Sequence, residues 1–508
     1  MNLARIVEHW AALQPDRTAV HFWGRELSYA ALWARIEAAS EALATTLKVG
    51  KGDRVAYLGY NHPEMLVLLF ALSRIGAILV PLNFRLATPE HQGILEHAGA
   101  RWLLAGAEFF EHGDKLRAAL PDLSLIALEG SRSGWLEWGA ITGATLRGIA
   151  RGTAIDAADI DDDPVLIVYT SGTTGKPKGA VHTQSGLAWN AVNSAHYHDL
   201  TDADHVLTVL PMFHVGGLCI QTFPALYAGA TVTLHPRFDP GAWLIDVSSR
   251  RPTLTLLVPA TMRAIIDHPA WQQTDLSSLR MAAAGSSTIP DSLIAAFHAR
   301  GVTVTQIYGS TETGPVSIYL RAEDARRKAG SAGKAALHAE MRLVDENDRD
   351  VPQGQVGEIL VRAPNVMQGY WKDPDNPSFR DGWFRSGDLA HQDEEGFFYV
   401  VGRSKDMIIS GGENIYPAEL ENVLAGCADI AEAAVIGLED AQWGEVAVVA
   451  VARKPGSALD AAGVMKLFEG ALARYKHPRR VVFIESLPKN AMGKVQKFEL
   501  RRAIAALG

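Results

Sequence analysis

The chain predicts an α/β protein with much parallel sheet, followed by a β-rich subdomain and a smaller α+β unit. Three observations carry this. Short apolar runs alternate with helical patterns over the first ~300 residues, a βαβ rhythm that calls for parallel strands and right-handed crossovers. From about Gly333 the strands shorten, and Gly, Asp and Pro turns crowd between them. After the polar stretch Gly402-Arg403-Ser404-Lys405-Asp406 a final unit mixes strands and helices.

Taken in order, residues 54–58 and 77–82 read as strands with a helix over 64–73 between them. The rhythm resumes at Pro164, with apolar runs at 165–168, 206–210, 231–234, 254–258 and 303–307. The β-rich part contains 357–361, and strands at 397–401 and 407–410 flank the polar stretch. Runs at 432–437 and 446–451 belong to the last unit. A boundary at the polar stretch divides the chain into 1–402 and 403–508.

Behind the buried strand 165–168 comes Tyr169-Thr170-Ser171-Gly172-Thr173-Thr174-Gly175-Lys176-Pro177-Lys178-Gly179, and a helical pattern begins near Ser185. Small hydroxyl residues, glycines and lysine together suit a polyphosphate. Glycine lets backbone N–H groups approach the oxygens, hydroxyls donate further hydrogen bonds, and lysine adds charge. The loop is not a Walker A motif, which needs Gly, four residues, then Gly-Lys-Ser/Thr. Thr170 stands at the first glycine position and Pro177 follows Lys176.

Composition narrows the classes. With 48% hydrophobic and 21% charged residues over 508 positions the chain can bury a large core. A net charge of −9 argues against a general nucleic-acid binder. Its two cysteines, Cys219 and Cys427, have no metal-ligand spacing and fit a reducing compartment. The N-terminal residues lack a signal-peptide pattern, and the last three are not a peroxisomal tripeptide. No apolar run reaches the roughly 18 residues of a membrane span. A cytoplasmic protein is the expectation.

Further motifs follow the loop in order: Tyr308-Gly309-Ser310-Thr311-Glu312-Thr313, Gly369-Tyr370-Trp371, Trp383-Phe384-Arg385-Ser386-Gly387-Asp388, Gly402-Arg403-Ser404-Lys405-Asp406, Gly411-Gly412-Glu413-Asn414-Ile415-Tyr416-Pro417 and Pro488-Lys489-Asn490-Ala491-Met492-Gly493-Lys494. Together they resemble the AMP-forming, adenylate-forming ligases: acyl-CoA synthetases, peptide-synthetase adenylation domains and firefly-type luciferases. The resemblance spans nearly the whole chain. It implies a large N-terminal domain of layered sheets and helices and a small mobile C-terminal domain. It also implies ATP, Mg²⁺ and coenzyme A as cofactors and a small carboxylic acid as substrate, and it leaves a homodimer open.

By this resemblance Thr170, Ser171, Gly172, Thr173, Thr174 and Lys178 wrap the β- and γ-phosphates. Tyr308 stacks on adenine, Thr311 contacts the α-phosphate, and Glu312 holds Mg²⁺, a hard cation that takes few carboxylates plus phosphate oxygens. Asp388 accepts the ribose hydroxyls through its two oxygens, and Arg403 also reaches the ribose. Lys494 bridges carboxylate and phosphate and offsets charge in the transition state. His214 borders the acyl pocket, Lys405 is the hinge, and Gly411 and Gly412 line the pantetheine tunnel. The basic run Arg474, Lys476, His477, Arg479 and Arg480 is available to the CoA phosphates.

The implied reaction is that of an acyl-CoA synthetase, of the acid–thiol ligase class. The expected pocket lining is Val215, Gly216, Leu218, Ala282, Ala283, Ala284, Val316 and Ile318, small or apolar residues that favour a medium- or long-chain fatty acid or an aromatic acid. The loop Gly285-Ser286-Ser287 departs from the commoner Gly-Ala-Pro form. A dicarboxylate such as malonate calls for an arginine; in the similar malonyl-CoA synthetases that arginine follows a Val-Pro matching Val258-Pro259, and counting from that pair puts Ala264 at the equivalent place with Arg263 one residue earlier, so a malonyl-CoA-type synthetase is one alternative. Loading of a separate carrier protein is the other alternative.

Overall fold

The computed structural model describes residues 2–148, 162–170, 178–285, 289–410, 413–440, 442–489 and 494–506. Among them a nine-stranded sheet runs in the order Lys334–Ala335, Ile318–Tyr319, Val304–Tyr308, Met281–Ala284, Leu254–Leu257, His205–Thr208, Thr231–Leu234, Thr18–Phe22, Arg25–Ser28. Its middle is parallel and its edges antiparallel. An eight-stranded sheet runs Gly369–Tyr370, Lys178–Thr183, Pro164–Thr170, Ile78–Pro81, Arg54–Leu58, Trp102–Ala105, Ser124–Ala127, Leu136–Glu137.

The largest core fills the space between these sheets. Val20, Val232 and Leu254 from one sheet and Val55, Leu79 and Val165 from the other meet the helix Pro63–Ile75 there. That helix is apolar almost all round, as a helix between two layers must be. His62 caps its start by accepting from Glu64 N at 3.1 Å, and Gly76, at φ 70°, ends it. Asn61 joins the layers: its Nδ2 donates to the carbonyls of Leu210 (2.9 Å) and His235 (3.0 Å), and its Oδ1 accepts from Met212 N (2.7 Å). The helices Pro240–Arg250, Pro259–Ile266 and Asp291–Ala299 cover one outer face, and Thr88–Ala98 and Phe110–Ala119 cover the other.

The helix stands where its pattern begins near Ser185, as Gln184–His198, but the residues before it form a strand that the sequence did not suggest. Pro164–Thr170 pairs antiparallel with a second strand, Lys178–Thr183, with Thr170 opposite Lys178. The helix Gln184–His198 starts only after it, capped by Thr183 accepting from Gly186 N at 3.1 Å. Lys178 therefore sits on a strand rather than at a loop tip.

The β-rich part is a five-stranded sheet of Glu340–Val344, Gly357–Arg362, Trp383–Gln392, Phe379–Arg380 and Phe398–Arg403. The chain leaves it through Ser404–Asp406 and enters the C-terminal sheet at Ile408–Ser410. That sheet centres on the hairpin Ile430–Asp440/Gly444–Arg453. Alternation sends Val435 into a core with the helix Pro417–Ala425, and Ala434 and Ile436 into one with Lys497–Ala505. Among the described residues no helix is long and apolar enough to cross a membrane.

Candidate active site

The turn after Val304–Tyr308 is held by close backbone contacts. A β-carbon on Gly309 would lie 1.6 Å from the Pro315 carbonyl oxygen, and one on Gly314 (φ 98°) 2.0 Å from that of Asn365. Only glycine fits at either place. Thr313 Oγ1 accepts from Ser310 N at 2.9 Å, and Asn365 Nδ2 donates to Thr313 O at 2.8 Å. This fixes Thr311, only 4% exposed, and Glu312 at the mouth of the sheet.

Tyr308, at the strand end, meets residues from the β-rich part. Asp388 and Arg403 lie directly opposite each other on adjacent strands. Arg403 Nε is 2.9 Å from Asp388 Oδ1, the Tyr308 hydroxyl donates to Oδ2 at 2.8 Å, and Ser386 Oγ accepts from Asp388 N at 3.0 Å. Loss of solvent and then the Asp388 charge push the Tyr308 phenol far up, so it stays a donor. Asp388, in turn, raises the Arg403 guanidinium. Sequence reading assigned these three residues separately to adenine and ribose. The Tyr308–Asp388 bond that makes them one unit was invisible to it.

Lys494, from the C-terminal part, comes to this same place. More than a third of it is open to solvent, yet protein crowds it enough that desolvation lowers its pKa. Repulsion from Arg403 lowers it further, while Asp388 and Asp406 act the other way. His214 also lies within reach of the Lys494 charge. Burial first, then Lys494, hold its imidazole down at about 4, so it is neutral near pH 7. Its Nδ1 accepts from Gly216 N at 3.0 Å at the start of a short helix.

Thr170 ends its strand opposite Lys178. Lys178 Nζ lies 5.0 Å from the centroid of the Tyr370 ring and 3.9 Å from Asp373 Oδ2. The Tyr370 hydroxyl donates to Glu312 Oε1 at 2.9 Å. Ser171, Gly172, Thr173, Thr174, Ser286, Ser287, Gly411 and Gly412 lie outside the described residues. Lys405 is on the short 3₁₀ turn Ser404–Asp406.

The expected pocket lining does not form one wall. Strand alternation turns Ala283 toward Val316, Leu210, Ile220 and Ile307, but Ala282 and Ala284 to the opposite face. Val215 and Leu218 join the main core, and Ile318 packs into the β-rich part. The Ala283 cluster also holds Tyr197 and Tyr319, stacked at 4.9 Å and 23°. Arg263 is half-buried late in the helix Pro259–Ile266.

A cavity of about 880 Å³ opens beside this cluster, sharing Leu210 and Val258 with it. Phe22, Trp23, Phe84 and Phe238 give it aromatic walls; Arg85, Arg237, Arg250 and Lys489 line it beside Asp239 and Asp246, with Arg250 3.3 Å from Asp246 and Lys489 paired with Glu432. Distant segments supply these residues, so no local motif announced it. The basic run proposed for CoA is partly spoken for: Lys476 pairs with Glu419 at 2.6 Å, and Arg479 lies over Trp443.

The geometry has counterparts in known proteins. Residues 7–371 match the AMP-binding enzyme family, and residues 419–494 match the AMP-binding enzyme C-terminal domain. The chain is 49% identical to an indoleacetate–CoA ligase of Aromatoleum aromaticum, over 99% of this chain and 98% of the relative. It is 41% identical to a feruloyl-CoA synthase of an Amycolatopsis species, with 97% of each covered. The crystal structure of the anthranilate CoA ligase AuaEII with anthranoyl-AMP superposes with a TM-score of 0.91 at 28% identity, covering 100% of this chain and 98% of that one. A single chain thus carries both parts of an adenylate-forming enzyme, and it belongs to the AMP-binding enzyme family, as an AMP-forming acid–thiol ligase.

Proposed function

We propose that this acyl-CoA synthetase acts on an aromatic monocarboxylic acid of the arylacetic or arylpropenoic type. The observation that carries the reading is 49% identity, along 99% of the chain, to a protein named for indoleacetate. The feruloyl and anthranilate relatives support it. So does the apolar Ala283 cluster with its stacked tyrosines. Among the described residues the buried charged side chains are Glu64, Asp204 and Asp388, all acidic, and none would attract a second carboxylate.

In the first half-reaction a carboxylate oxygen of the acid attacks the α-phosphorus of ATP, and the bond to pyrophosphate breaks. Thr170 and Lys178, with Ser171, Gly172, Thr173 and Thr174, hold the outer phosphates, and Thr311 holds the α-phosphate. Tyr308 presents its ring to adenine while its hydroxyl keeps Asp388 aligned. Asp388 still has lone pairs for the ribose hydroxyls, since each oxygen can accept twice. Lys494 offsets the charge that gathers as two anions meet. In the second half-reaction the CoA thiol attacks the acyl carbonyl, and AMP leaves.

Glu312 suits Mg²⁺. Oε1 accepts from Tyr370, and among the described residues Oε2 accepts no hydrogen bond, which leaves a hard oxygen for the ion. Among the described residues no group of three or more His, Cys, Asp and Glu could form a metal site. One carboxylate is enough where phosphates supply the remaining ligands. The ion would neutralise phosphate charge. The aromatic-walled cavity, with Arg85 and Arg237 on its lining, is the proposed path for CoA, with Gly411 and Gly412 on the pantetheine side and Lys405 at the hinge between the half-reactions.

The test is AMP formation, with and without CoA, across acetate, malonate, octanoate, palmitate, benzoate, ferulate and indoleacetate. CoA-dependent turnover highest with an aromatic acid is expected. Highest turnover with malonate or palmitate would overturn the substrate class, and pyrophosphate release without CoA use would point to a carrier protein.

A further inference from the structure

Tyr370 touches both Lys178 and Glu312, the two sides of the proposed phosphate site. Its backbone is tied on two sides. Gly369–Tyr370 pairs antiparallel with Lys178–Thr183, Tyr370 standing opposite Ala180, and Trp371 N donates to Gly179 O at 2.7 Å. Three residues earlier, Met367 N donates to Glu312 O at 2.8 Å. The segment therefore bridges the strand that begins with Lys178 and the turn that carries Glu312.

The side chain repeats the bridge. Its hydroxyl donates to Glu312 Oε1 at 2.9 Å, and its ring lies 5.0 Å from Lys178 Nζ. A glutamate carboxylate turns about a broad torsion, so its two oxygens are interchangeable until something distinguishes them. A hydrogen bond to Oε1 does so. Lys178 has a competing partner in Asp373, at 3.9 Å. A ring face near the ammonium gives it a second, uncharged resting place.

We propose that Tyr370 is a positioning residue for the ATP–metal complex: its hydroxyl orients Glu312 so that Oε2 meets the divalent cation, and its ring keeps Lys178 available to the phosphates. The inference rests on the proposed assignment of Glu312 and Lys178 to Mg²⁺ and ATP. Hydrogen bonds to ligating carboxylates commonly change metal affinity about 10–100-fold.

The experiment is ATP binding to the full chain without acid, by calorimetry, as a function of Mg²⁺. Tyr370→Phe keeps the ring and removes only the hydroxyl. It should raise the Mg²⁺ concentration for half-maximal ATP binding about tenfold. Thioester formation from supplied indoleacetyl-adenylate and CoA should suffer far less than adenylation. Tyr370→Leu, lacking the ring as well, should also weaken ATP binding at saturating Mg²⁺. An unchanged Mg²⁺ midpoint in Tyr370→Phe, with a raised one in Glu312→Gln, overturns the role of Tyr370 alone. An unchanged midpoint in Glu312→Gln overturns the assignment of Glu312 and the inference with it. Equal slowing of both half-reactions with the midpoint unmoved identifies a packing role and also overturns the proposal.

Discussion

Asp388 and Lys494 lie within electrostatic reach of each other, yet the fold holds them in opposite ways. Asp388 is 7% exposed, and its carboxylate is engaged by Tyr308 and Arg403 before any ligand arrives. Adjacent strands of one sheet bring Asp388 and Arg403 face to face. Lys494 is solvent-open and stands just before the helix Lys497–Ala505 of the C-terminal part. Its charge is disfavoured by the desolvation that surrounding protein imposes and by Arg403. On the proposed assignment the β-rich sheet preorganises the nucleoside end, whereas the C-terminal part brings in the Lys494 cation at some electrostatic cost. A charge wanted only while two anions meet can be held in this way.

Removing the delivered charge tests one side of this contrast. Lys494→Ala should slow adenylation at least about a hundredfold, the scale of losing one electrostatic stabiliser. Thioester formation from supplied acyl-adenylate should persist, and a parallel fall of both rates would contradict the division. Disturbing the built-in side should behave differently. Gly309→Ala drives a β-carbon into the Pro315 carbonyl. It should cost on the order of 1–3 kcal/mol of stability and weaken ATP binding. A normal melting temperature with normal ATP affinity would show that the turn is not the frame it looks to be.

The smallest expected effect lies in pH dependence. The Lys494 amine titrates below an ordinary lysine, and in the proposed role its charged form is the useful one. Adenylation should therefore fall as pH rises through that lowered pKa. Lys494→Arg, which cannot lose its charge in this range, should remove that alkaline limb whatever its absolute rate. A limb that stays in place in the arginine variant belongs to another group.

Much of this architecture is legible in the amino-acid order, because its elements are local. The strands at 54–58 and 357–361 stand where their apolar runs lie, within a residue. Tyr308, Asp388, Arg403 and Lys494 sit in short motifs, and the fold brings them together. What escaped the sequence depends on partners far away. Lys178–Thr183 hides as a strand because Lys-Gly-Ala-Val-His-Thr has little apolar signal and owes its pairing to Pro164–Thr170. Small apolar side chains at Ala282, Ala283 and Ala284 look alike in the sequence, but a period of two puts the outer pair on the other face. The cavity joins Trp23, Phe84, Arg237 and Lys489, which no window along the chain contains together.

The most direct test of the central claim is a competition in one vessel, with ATP, Mg²⁺, CoA and equal concentrations of indoleacetate, ferulate, octanoate and malonate, the thioesters being resolved by mass. The account predicts that an aromatic acyl-CoA, matched by an equal yield of AMP, dominates from the earliest time point. A mixture dominated by octanoyl- or malonyl-CoA would contradict it.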